Sequence, residues 1–136
     1  MGDKVTIHEF DPIIYPFRLW VAVRPKVEQI AEKFYNLDTS MNLLPVTPEY
    51  FYKSRFSVAT TYPMGDKQSG NLGCLIAIWR PKDLNLGMIT HESSHVTDFL
   101  CDVLGVNGFT LDSGEARAYF CGWVAECIDT VKRGKV

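Results

Sequence analysis

Residues 91–95 read His-Glu-Ser-Ser-His and hold two of the three histidines in a chain of 136 residues. On a helix, positions i and i+4 lie one turn apart on the same face, so His91 and His95 can aim two imidazoles at one ion. Glu92 stands on an adjacent face, within reach of a water on that ion without being a ligand. Zinc hydrolysis needs two neutral nitrogen ligands, a third protein ligand, an open position holding water, and a carboxylate to take its proton. The bland alternative is a chance match with no metal, since a five-residue pattern with three fixed positions also arises by accident.

The context suits the motif. Ile89, Val96, Phe99, Leu100, Val103 and Leu104 form an apolar stripe, which predicts a helix over Gly87 to Leu104 with Gly105 as its stop. Upstream, alternation predicts strands over Lys4–Phe10, Arg18–Arg24 and Arg55–Tyr62, and Cys74–Arg80 is the most hydrophobic strand. Pro25 opens an amphipathic helix carrying Val27, Ile30, Ala31 and Phe34 and ending near Asn36. Asp38–Tyr52 reads as a loop or short irregular piece, and Pro63–Gly73 as a long hairpin connection. This order predicts one α+β domain spanning residues 1–136, with a small, mostly antiparallel sheet. The N-terminal helix, the motif helix and a C-terminal helix pack with it.

Two histidines do not hold a catalytic zinc alone, so another His, Asp or Glu is required. No histidine follows His95. After a turn between Gly105 and Thr110, Leu111-Asp112-Ser113-Gly114-Glu115 opens a second helix. Side-by-side packing of the two helices can bring Glu115 to the histidine face, and the small Ala118 and Gly122 on its own face would let them approach. Asp112-x-x-Glu115 also spells a capping box, in which the glutamate reaches back to the cap residue's own N–H. Counted with the histidines, Glu115 is the expected third ligand.

With nineteen residues (96–114) separating His95 from the glutamate of Ser-Gly-Glu-Ala-Arg-Ala-Tyr-Phe, the pattern resembles the gluzincin branch of the zincin metallopeptidases. The resemblance covers about Arg55 to Lys132. The compact size and the Glu-Ala-Arg-Ala-Tyr wording are similar to small zincin-like proteins encoded by phages and prophages. It implies that His91, His95 and Glu115 bind Zn2+ and that Glu92 is the general base in peptide-bond hydrolysis, returning the proton to the leaving amine. It also implies that Cys74–Arg80 takes the place of the edge strand along which an extended peptide lies. Tyr119, one turn after Glu115, is a candidate donor to the tetrahedral intermediate, against the alternative of aromatic packing between helices. Asp98 or Asp102 is a candidate acceptor for a ligand imidazole's free N–H, or simply faces solvent, with Asp98 better placed.

The rest of the chain excludes more than it proposes. A net charge of -2 without a basic cluster gives no sign of a nucleic-acid groove. No run of eighteen apolar residues predicts a membrane span, and no export signal opens the chain, so a cytoplasmic location is expected. The four cysteines, Cys74, Cys101, Cys121 and Cys127, lack Cys-x-x-Cys spacing and read as reduced, buried small hydrophobes. The expected partner is a protein or peptide substrate. A competing reading keeps the fold without catalysis, as a zincin-like binding or assembly module.

Overall fold

A computed structural model describes residues 4–105 and 111–136 of the chain, with side chains at all of these except 50, 52, 53 and 111–113. The architecture is α+β. In chain order the elements are β1 (His8–Phe10), β2 (Arg18–Val23), α1 (Val27–Lys33), β3 (Phe34–Leu37), β4 (Leu43–Pro45), α2 (Pro48–Ser54), β5 (Ala59–Asp66), β6 (Leu72–Ile78), a 3-10 turn (Pro81–Asp83), α3 (Leu86–Leu104) and α4 (Leu111–Lys132). The strands form one six-stranded sheet in the order β1-β2-β6-β5-β3-β4. Its ladders are antiparallel except β2 with β6, which run parallel from Arg18 opposite Gly73 to Val23 opposite Ile78.

Period-two alternation sends the two sides of β2 and β6 into two cores. Leu19, Val21, Cys74, Ile76 and Ile78 meet Ile89, Val96 and Leu100 of α3 and Phe120, Val124 and Ile128 of α4. On the opposite face, Trp20, Phe34, Tyr62, Met64, Leu75 and Ala77 meet Ile30 of α1 and Phe51 of α2. The long hairpin of α3 and α4 therefore covers one face and two seven-residue helices cover the other.

Several expectations change. The N-terminal helix stops at Lys33 rather than near Asn36, because Phe34 turns extended and pairs with Asp66 of β5. The stretch Asp38–Tyr52, expected to be irregular, contains β4 and most of α2, whose start is marked by Pro48 in the first turn. Pro63, expected to open a long connection, lies inside β5, and the hairpin closes between Asp66 and Asn71. The strand expected over Cys74–Arg80 is β6, and it is not an edge. Parallel β2 occupies the side that a substrate strand would need, and β1 and β4 are the edges. Gly73 permits that close pairing, since a Cβ there would stand 1.9 Å from the Arg18 carbonyl oxygen.

Candidate metal centre

Helix α3 has defined ends and carries the motif in its first half. Asn85 caps it by accepting from the Met88 N–H at 2.9 Å, and Gly105 closes it in the left-handed region at φ 69°. Ile89, Val96 and Leu100 anchor one side in the core. Ser93 and Thr97 are buried too, and each donates its hydroxyl one turn back, to Ile89 O and Ser93 O, both at 2.7 Å. Those local bonds satisfy two polar groups that would otherwise be costly in the core.

The two histidines and the glutamate have different surroundings. His91 and His95 are exposed, with 68% of the His91 side chain open to solvent. Their rings stand edge to face at 4.6 Å, and their Nε2 atoms are 3.1 Å apart. Glu92 is only 8% exposed. Its Oε1 accepts from the Thr61 hydroxyl of β5 at 2.8 Å, and its Oε2 lies 3.7 Å from His91 Nε2. Among the described residues, His91, Glu92 and His95 form a group that could hold a metal ion, their ligating atoms all within 4.8 Å of one another.

The spacing fits the chemistry of the donors. Two nitrogens about 2.0–2.1 Å from a tetrahedral zinc would be about 3.3 Å from each other. The observed 3.1 Å is close to that tetrahedral edge. One imidazole donating to the other would give a similar separation, so the third group carries the distinction. A carboxylate oxygen turned towards the pair supplies negative charge where an ion would sit.

Glu115 lies outside this group and is exposed on α4. The reason is register. Arg117 Nη2 donates to Asp98 Oδ1 at 2.6 Å, and Lys132 Nζ donates to the Leu84 carbonyl, so α4 runs antiparallel to α3 with 117 beside 98. Glu115 then stands beside the chain past Asp98, about 7.5 Å along the axis from His95 at ~1.5 Å per residue. Helix α4 already includes Leu111, so Asp112 falls inside the first turn rather than at the cap position, and its side chain lies outside the described residues. Asp98 is engaged by Arg117, tying the two helices together, and Asp102 is exposed. Tyr119 is 76% exposed and borders an apolar groove with Ile14, Tyr15, Phe120 and Trp123; neither histidine lines that groove.

The residue that sequence reasoning passed over is Thr61. A threonine on a strand is ordinary, and nothing local ties it to a glutamate 31 positions later. The four cysteines are free thiols; Cys74 and Cys127 are buried, and Cys101 and Cys121 are half-buried. Burial raises the Cys74 thiol far above its usual range and pushes Cys127 up to about 12, so neither is poised as a thiolate ligand. No helix among the described residues is long and apolar enough to cross a membrane. Compared with known proteins, the chain matches no protein-family model, no curated protein and no solved structure.

Proposed function

We propose that the chain is a zinc-dependent hydrolase of peptide bonds, with His91 and His95 as metal ligands, Glu92 as general base and Glu115, which would have to move in from its place outside the group, as the third ligand. The observation that carries the reading is the meeting of two imidazole nitrogens at 3.1 Å beside a buried carboxylate. A bound zinc would supply Lewis-acid polarisation and a water with a pKa lowered towards neutrality. The chain's own contribution is to hold Glu92 beside that position. With Oε1 accepting from Thr61, Oε2 is the oxygen facing the histidines and the one placed to take a proton and return it to a leaving amine. The exposure of both histidines gives a substrate access from solvent. The peptide bond as substrate comes from the gluzincin resemblance.

A second reading has its own observation. Glu92 Oε2 already lies 3.7 Å from His91 Nε2, whereas Glu115 is outside the group. Glu92 would then be the third ligand of a non-catalytic metal site in a binding or assembly protein. Elemental mass spectrometry of purified protein, beside His91→Ala, Glu115→Ala and Glu92→Gln, separates the two. One zinc per chain, lost in His91→Ala and Glu115→Ala but retained in Glu92→Gln, is expected from the hydrolase. It would be joined by cleavage of a peptide panel that Glu92→Gln abolishes. Zinc lost in Glu92→Gln and retained in Glu115→Ala would establish the second reading.

A further inference from the structure

We infer that Thr61 sets the role of Glu92, holding its carboxylate beside the ion position as a base with one free oxygen and keeping it out of the ligand set. The inference rests on the proposed function, in which His91 and His95 hold zinc.

Thr61 belongs to β5, opposite Ile76 of β6, in the longest antiparallel ladder of the sheet. Its backbone is thus paired inside the sheet, with strands on both sides of β5. The hydroxyl has one hydrogen to give. The Glu92 carbonyl oxygen lies 3.5 Å away and Glu92 Oε1 lies 2.8 Å away, so the shorter, charge-assisted bond to the carboxylate takes it. Glu92 has one such anchor and one oxygen directed at His91, on a side chain only 10% exposed. Moving the carboxylate towards a shared ion would stretch the Thr61 bond and leave the half-buried hydroxyl only the longer contact to the Glu92 carbonyl oxygen. Nothing comparable ties the exposed His91 and His95 to the sheet among the bonds described. The strand therefore controls the one member of the motif whose job depends on staying near the metal without binding it. Thr61 is a positioning residue in this scheme, acting through Glu92.

The test is zinc titration of the full chain by calorimetry, paired with visible spectra of the cobalt-substituted protein. Thr61→Val removes the donor at nearly constant shape and frees both carboxylate oxygens. It should tighten zinc binding about tenfold, the scale on which outer partners of a ligand set act, and shift the cobalt bands towards a higher coordination number. Thr61→Ser, which keeps the donor, should match the parent. The double variant Thr61→Val with Glu92→Gln should lose the gain, binding zinc no more tightly than Glu92→Gln alone, and Glu92→Gln alone should keep the parent's cobalt bands. A Thr61→Val protein that binds zinc with the parent's affinity and cobalt spectrum would overturn the role of Thr61 while leaving the metal site standing. A cobalt spectrum that shifts towards a lower coordination number in Glu92→Gln alone would overturn it differently, by showing that Glu92 is already a ligand; this arm stands even where Thr61→Val does not fold. A parent chain that binds no zinc would overturn the proposed function as well.

Discussion

The two faces of the sheet solve different problems. Under α1 and α2 the core is aromatic, and its polar tips are satisfied close by. Trp20 packs on Phe34 at 4.8 Å between ring centres while its Nε1 donates to Glu9 at 2.7 Å, and the Tyr62 hydroxyl meets Ser54. Under α3 and α4 the core is mainly aliphatic near β6, and the buried polar groups sit on the motif helix: Glu92, Ser93 and Thr97. On the first face, polar atoms follow the burial of large rings. On the second, apolar residues at 89, 96 and 100 bury the helix so that a carboxylate is held against β5 and two imidazoles remain outside. The motif thereby lies on one side of the strands and the cluster of Trp20, Phe34, Phe51 and Tyr62 on the other.

That division can be broken from either side. Trp20→Ala empties the largest fully buried side chain and should cost ~3–5 kcal/mol in denaturant unfolding, the range for large aromatic truncations. Zinc affinity should be unchanged below the unfolding transition, and a loss of affinity would show that the two faces are coupled. His95→Ala is the converse. It should weaken zinc binding beyond the ~10–100-fold cost of losing an outer partner. Unfolding free energy should stay within ~0.5 kcal/mol, as for an exposed substitution away from core features. A large stability loss would mean that the histidine pair is structural.

Arg117→Gln sharpens the comparison within the second face, because it releases the contact that holds 117 beside 98. Asp98 is about half exposed, so the pair should contribute no more than ~1 kcal/mol to stability. Its informative readout is zinc affinity. If Glu115 completes the ligand set, freeing the first turns of α4 changes that affinity; if Glu92 does, the affinity stays put.

What the sequence revealed follows the range of the interaction responsible. The motif helix was legible because its stripe through Val96 and its stop at Gly105 are local; its cap at Asn85, one residue before its start at Leu86, was not read. Its histidine pair was legible because i, i+4 geometry fixes it. The end of α1 was not, since Phe34 continues the spacing of Val27, Ile30 and Ala31 and suits a helix as well as a strand. Its pairing with Asp66 decides the matter from far along the chain. The central place of β6 depends on β2 arriving in parallel beside it, which no pattern within 74–80 encodes. The same limit applies at the site: Thr61 and the axial position of Glu115 come from strand and helix pairing rather than from residue types.

The smallest expected effect lies at the far end of β5, on the aromatic side, and concerns acid stability. Burial alone would raise the Asp66 carboxyl, but the Gln68 N–H and the Lys33 ammonium 3.3 Å away outweigh it, so its pKa is lowered on folding. A carboxyl with a lower pKa in the folded state binds fewer protons there than in the unfolded chain. Its contribution is therefore fully present above the unfolded value near ~3.9 and is lost as pH falls through the folded value. Asp66→Asn should flatten the acid limb of the stability curve below about pH 4 while leaving its shape between about pH 6 and 8 unchanged. Lys33→Met should move the Asp66 titration upward, measured by NMR on the carboxyl carbon, without altering zinc affinity. A parallel change in zinc binding would mean that β5 transmits strain from Asp66 to Thr61, and the separation of the two faces would fail at the strand they share.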